Sequence, residues 1–114
     1  MSCQTSVRHA GGVAIVDLNG TITLNSGIGS IRTVVQGLVD DGHKDILLNL
    51  AGVGFMDSSG LGEMAGTYTT VSNLGGRMRL LKPHSKVDSL LHVTKLYTIL
   101  VTFHDETAAL ASFQ

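Results

Sequence analysis

The chain has 114 residues, 43% hydrophobic and 15% charged, with a formal net charge of -1. That length and balance predict one globular domain over residues 1–114 that can bury a real core, and they exclude a disordered polyelectrolyte. No basic stripe is present to meet nucleic acid, and no apolar run approaches the ~20 residues needed to insert in a membrane.

Near the start stands Cys3, the single cysteine, in a segment expected to fray. It cannot close an internal disulfide, and no basic-then-apolar leader pattern precedes the first element. A reducing, cytoplasmic setting is the expectation. Gly11-Gly12 then separates Thr5–Ala10 from Val13–Leu18, two strand-like runs of a hairpin. Asn19-Gly20-Thr21 spells a glycosylation acceptor, but without an export signal it reads as a turn. A loop over Thr23–Gly27 follows.

From Ile28 the apolar residues Ile28, Ile31, Val34, Val35, Leu38 and Val39 recur at helical spacing, and Gly42 is a suitable stop. Ile46–Leu50 is a short apolar run that suits a buried strand. A second helix is predicted over Ser58–Leu74, with Leu61, Met64, Ala65, Tyr68, Val71 and Leu74 inward and Gly75-Gly76 ending it. Met78–Leu81 reads as a strand. After Pro83, Ser85 and Asp88 read as a capping pair for a short helix through Leu91. Ile99–Phe103 is a last strand, and Asp105 caps a final helix over Thr107–Phe113. The alternation predicts an α/β domain with a mixed, mostly parallel sheet. The pattern leaves open whether helices cover one face or both.

Phe55-Met56-Asp57-Ser58-Ser59-Gly60-Leu61-Gly62 stands where the central strand gives way to the second helix. A helix start leaves amide N–H groups unpaired, so this place favours a capping oxygen or an added phosphate. By itself the pattern fits capping as well as phosphorylation. The outer face of the same helix carries Ser59, Gly62, Glu63, Gly66, Thr70 and Asn73, with one charge and two glycines a turn apart. Such a face suits either close packing within the domain or a partner backbone docked from outside.

Enzyme readings fare poorly. Gly60-Leu61-Gly62-Glu63-Met64-Ala65 spells a dinucleotide-type glycine pattern, but Leu81-Lys82 ends the next strand without an acid for a ribose. Ser58 lacks the glycine-flanked elbow of a serine hydrolase. His9, His43, His84, His92 and His104 show no metal-ligand spacing and read as surface or loop residues. No catalytic residue, metal or cofactor is expected.

Met56-Asp57-Ser58-Ser59-Gly60-Leu61-Gly62 resembles the signature of bacterial anti-sigma factor antagonists, whose fold is the STAS domain. Leu18-Asn19-Gly20, the strand Ile46–Leu50 and Gly75-Gly76 also fall where that family places such elements, so the resemblance spans nearly the whole chain. It implies a single STAS-like domain with helices mainly on one face. It also implies bacterial signalling through protein–protein contact and regulation of transcription. The serine after the Asp, Ser58 here, would be phosphorylated by a cognate anti-sigma factor that is itself a serine kinase using ATP and magnesium. The unmodified form would bind that kinase and free sigma, and a metal-dependent serine phosphatase would reset the switch. Asp57, Ser58, Ser59, Gly60, Gly62, Glu63, Gly66 and Thr23 are the expected partner-binding residues. Thr23 stands where many members carry an Asp near the phosphorylatable serine. The alternative within the resemblance is a non-switching STAS module, accessory to a lipid transporter or part of a stress-signalling scaffold.

Overall fold

The computed structural model describes residues 3–114. Five strands, β1 (Gln4–Ala10), β2 (Val13–Ile22), β3 (Asp45–Met56), β4 (Arg77–Leu81) and β5 (Thr102–Phe103), form one sheet in sequence order. β1 runs antiparallel to β2, and every later pair is parallel. Four helices connect or follow the strands: α1 (Ser30–Asp40), α2 (Ser58–Asn73), α3 (Ser85–Val93) and α4 (Glu106–Ala111).

The hairpin forms as predicted. Gly11 and Gly12 have φ of 56° and 83° and close a two-residue turn that pairs Ala10 with Val13. Only glycine adopts two such angles in succession without strain. The central strands are apolar on both sides, as parallel strands must be when both faces are covered. Ala14, Val16 and Leu18 of β2 join Ile46, Leu48 and Leu50 of β3 in one core; Val13, Ile15 and Leu47 belong to a second.

Helices α1, α2 and α3 cover the first face with Ile31, Val35, Leu61, Met64, Val87 and Leu91. Only α4 covers the second, with Ala109 and Phe113 over Val13, Ile15, Leu47 and Leu81. Helices therefore lie mainly, but not solely, on one face. Gly42 and Gly75, with φ of 93° and 81°, end α1 and α2 where the sequence places the stops.

Several elements differ from expectation. Cys3 is buried in the main core, and burial pushes its thiol pKa up. Asn19-Gly20 is not a turn but an irregular stretch inside β2, with register shifts around it. Both central strands outrun their apolar stretches because their ends pair with each other, Ile22 opposite Met56. Ile28 lies before α1 and is exposed, and Leu74 is the exposed C-cap of α2. Ser85 does not cap α3: His84 is the N-cap residue, without a side-chain bond to the helix. The expected strand Ile99–Phe103 shrinks to Thr102–Phe103, because a 3-10 turn over Leu96–Thr98 folds the preceding chain inward to bury Leu100. Asp105 caps α4 as expected, accepting from the Ala108 N–H.

On the second face Arg8 clamps three elements. Its guanidinium donates to both carboxylate oxygens of Asp17, at 2.6 and 2.9 Å, and to both of Glu106, at 2.9 and 3.2 Å. Asn49 donates to Asp17 at 2.7 Å. Arg8 holds the carboxyls of Asp17 and Glu106 below their ordinary pKa range. On acidification the unfolded chain binds protons at these positions first, so this stability is present above about pH 4 and drains away below it. Arg8→Ala is expected to flatten that acid limb in urea-unfolding curves taken from pH 6 to pH 2.5, with little change in the curve's shape above it.

Candidate functional site

β2 and β3 leave the sheet together at their carboxyl ends, the side on which α/β sheets build their sites. The Asp57 N–H donates to the Ile22 carbonyl at 3.3 Å, so the start of α2 is fastened to the end of β2. Asp57 is extended, with φ -99° and ψ -175°, and is the N-cap residue of α2. Its Oδ1 accepts from the Gly60 N–H at 3.0 Å and its Oδ2 from the Leu24 N–H at 3.0 Å. One carboxylate therefore satisfies an orphan helix donor and also pins the β2–α1 loop. The Leu24 and Gly60 amides together lower its pKa.

Ser58 is the first residue of α2 and its side chain is exposed. A hydroxyl there is open to an enzyme from outside, at the positive end of a helix dipole. Ser59, one residue on, is half-buried. Thr23 opens the β2–α1 loop, where it and Ser26 exchange backbone hydrogen bonds of 2.7 and 3.1 Å. Its hydroxyl also donates to the Ser26 carbonyl at 3.2 Å. Thr23 is joined to the start of α2 through its neighbour Leu24, the residue that Asp57 holds.

The three glycines of α2 play different parts. A Cβ on Gly60 would lie 2.2 Å from the Ile22 carbonyl oxygen and 2.8 Å from Met56 Cγ, so α2 crosses the strand ends at a distance only glycine permits. This internal contact, not a pyrophosphate, accounts for the first glycine of the dinucleotide-like spelling. A Cβ on Gly62 or Gly66 would meet nothing within 4 Å. Close packing inside the domain therefore does not explain those two. They open instead onto a groove of about 690 Å³ between α1 and α2, which Ser59, Thr70, Val35 and Val39 also line.

Glu63, the one charge of this face and expected there to meet a partner, has an internal task. Its carboxylate accepts from the Gly29 N–H and from the Arg32 N–H, at 2.5 and 2.9 Å. It caps α1, whose own N-cap residue, Gly29, has no side chain to do so. The sequence signal was present in Gly29, a glycine where a capping oxygen belongs, but the cap comes from 34 residues away.

Three apolar residues at this end escaped the sequence reading. Leu24, Phe55 and Val93 are 65%, 46% and 81% exposed. Phe55 and Val93, with Met56 and Leu90, line a second groove of about 410 Å³ that reaches Asp57. Exposed apolar residues gathered near one helix start are the kind of surface that suits a partner. Leu24 lay in a segment read as loop, Phe55 entered only as the first residue of the strand-to-helix motif, and Val93 fell beyond the helix predicted to end at Leu91, so periodicity assigned no face to any of them.

The STAS domain family model matches residues 4–109. The chain belongs to the STAS domain family. Over all 114 residues it is 29% identical to the anti-sigma F factor antagonist of Paenibacillus polymyxa, covering 100% of this chain and 97% of that protein. The crystal structure of an anti-sigma factor antagonist from Mycobacterium paratuberculosis superposes with a TM-score of 0.85 at 21% identity, covering 96% of this chain and 92% of the other. The Bacillus cell fate determinant SpoIIAA in its phosphorylated form superposes with a TM-score of 0.73 at 20% identity, covering 97% and 100%. These two likenesses concern the fold. STAS antagonists are regulators and not enzymes, which removes the dinucleotide and hydrolase readings. Among the described residues no helix is long and apolar enough to cross a membrane.

The glycines give a sharp contrast in stability. Gly60→Ala is expected to cost ~2 kcal/mol or more, through overpacking against the Ile22 carbonyl. Gly62→Ala and Gly66→Ala are each expected to stabilise by ~0.5–1 kcal/mol, because a helix gains the propensity of alanine and loses no contact. Urea unfolding of the three variants measures both effects.

Proposed function

We propose that this STAS domain is an anti-sigma factor antagonist whose docking face is centred on Ser58 and is closed by phosphorylation of that residue. The observation that carries the reading is the exposed Ser58 hydroxyl on the first turn of α2, next to Asp57, which holds the exposed Leu24 and borders the groove of exposed Phe55 and Val93. The names of full-length relatives and the existence of a phosphorylated form of a protein with this fold support it.

The partner is an anti-sigma factor that is also a serine kinase. In the transfer step the Ser58 Oγ bonds to the γ-phosphorus of ATP as the bond from that phosphorus to the bridging oxygen of ADP breaks. The hydroxyl proton passes to a base of the kinase. A metal-dependent serine phosphatase returns the hydroxyl by transfer of the phosphoryl group to water. Asp57, Ser59 and Gly60 shape the first turn. Gly62 and Gly66 admit a partner backbone, and Thr23 with Leu24 forms the adjoining rim. Glu63 serves the face indirectly, by fixing α1 against α2.

Charge explains why binding and not folding is switched. A phosphoryl group brings about -1.5 to -2 charges. The dipole of α2 favours it by ~1 kcal/mol, and the neighbouring Asp57 carboxylate opposes it, so the fold tolerates the change. Beneath a docked partner the same group would be buried unpaired among apolar side chains, at a cost of several kcal/mol. Each 1.4 kcal/mol is tenfold in affinity.

Ser58→Ala used as bait in native cytosol is expected to retain an ATP-binding anti-sigma factor, and mass spectrometry of the wild type is expected to find the phosphoryl group on Ser58. Ser58→Asp is expected to melt like the wild type and to bind that factor roughly 100-fold more weakly or worse, a loss of ~3 kcal/mol. Equal binding by Ser58→Asp, Ser58→Ala and the wild type would reduce Ser58 to an ordinary helix-start residue. A second variant tests the groove. Gly66→Arg fills the space beside α1 without touching the core, and is expected to weaken binding by about tenfold or more while the urea midpoint stays at or above that of the wild type.

A further inference from the structure

The β2–α1 loop is tied to α2 at two points, and both ties are carboxylates of α2. Asp57 holds the Leu24 N–H, and Glu63 holds the Gly29 N–H. The two acids are six residues apart, about 9 Å along a helix axis. Between the ties, Thr23 and Ser26 bond to each other, so the loop has its own shape. What fixes its outer end to the site is the single bond from Leu24 to Asp57 Oδ2.

That bond depends on how Asp57 is held. Its Oδ1 is occupied by the Gly60 amide, an orphan donor of the first turn of α2. A dianion on Ser58, the next residue, competes for the same first-turn donors and repels the carboxylate. A carboxylate pushed off Gly60 must rotate, and rotation takes Oδ2 away from Leu24.

We propose that Asp57 is a latch: a phosphoryl group on Ser58 displaces its carboxylate, frees the Leu24 amide and unseats the outer end of the β2–α1 loop, while the Glu63 tie to Gly29 stays closed. This inference rests on the reading of Ser58 as the modified residue and adds a second route to partner release. Leu24 is 65% exposed and forms part of the apolar rim. Its displacement breaks the shape of the docking face in addition to the charge placed on it. Modification then reaches a loop that contains no modified residue.

Amide hydrogen exchange followed by NMR tests the latch in the chain itself. The phosphoserine at position 58 is installed during synthesis, so the result does not depend on any kinase. Exchange at Leu24 is expected to speed up about tenfold, the factor for ~1.4 kcal/mol. Exchange at Gly29 is expected to hold. Asp57→Asn provides the second arm, because Gly60 and Leu24 bond different oxygens of the carboxylate, and the NH2 that replaces one of them cannot accept. This variant is expected to speed exchange at Leu24 in the unmodified chain, and phosphoserine added to it is expected to give little more, the non-additivity of two changes acting on one bond.

Unchanged exchange at Leu24 in the phosphorylated wild type overturns the latch, as does equal acceleration at Leu24 and Gly29, which would mean general loosening. A latch that opens under installed phosphoserine, in a protein that carries no phosphoryl group on Ser58 in its host, would uphold the mechanics and refute the switch reading. A closed latch with a confirmed phosphoserine would do the reverse.

Discussion

Two carboxylates, one at the N-cap and one on the second turn of α2, hold the Ser58 end of the molecule together. Asp57 joins α2 to the loop that follows β2, and Glu63 joins α2 to the first turn of α1. Glu63 lies outside the helix that it caps, and Asp57 lies outside the loop that it pins. Each accepts two backbone N–H groups, and bonds from a charged acceptor are among the stronger hydrogen bonds a protein makes. Without them α1 would begin at a bare glycine and the loop bearing Leu24 would hang free of the helix bearing Ser58. The orientation of everything exposed at this end follows from these four bonds.

The same end shows a division of labour among small residues. Gly60 is small because the backbone of β2 passes beneath it. Gly62 and Gly66 are small with nothing near them, at a cost in helix propensity that the fold does not recover. A chain selected for stability alone would fill those positions. An open groove floored by bare helix backbone makes sense when another molecule supplies the missing contacts. The groove takes in Ser59, the residue after Ser58, and the apolar groove of Phe55 and Val93 takes in Asp57, the residue before it.

Much of this was legible in the sequence, and the reasons are physical. Strand and helix positions followed from apolar period, and the stops from Gly42 and Gly75, where a left-handed backbone was needed. The site segment was legible because a cap residue, two hydroxyls and a glycine met at one strand-to-helix junction. The remainder depended on contacts distant in sequence. Glu63 read as the single charge of the outer face and as a partner-binding residue, and its capping task was hidden because Gly29 and Arg32 are more than 30 positions away. The short β5 read as a longer strand because the bend over Leu96–Thr98 has no glycine or proline to mark it. Ser85 read as a cap, when His84 takes that position without capping. The lone α4 on the second face could not be assigned, since a short helix with one buried alanine carries no directional signal.

The two faces of the sheet answer different needs. Three helices seal the first, and its core runs from Cys3 to Leu100. The second is closed by a six-residue helix and the Arg8 clamp on Asp17 and Glu106. That ionic layer is half exposed, so its contribution is modest and screened. The larger core therefore lies on the face that also carries α2 and the proposed docking surface. On the proposed reading the switch leaves the fold intact, because Leu61 and Met64, just beyond Ser58, are buried in this core. It then works at the surface, on charge and on the seating of one loop, and Asp57, next to Ser58, is bonded both to that loop and to the first turn of α2.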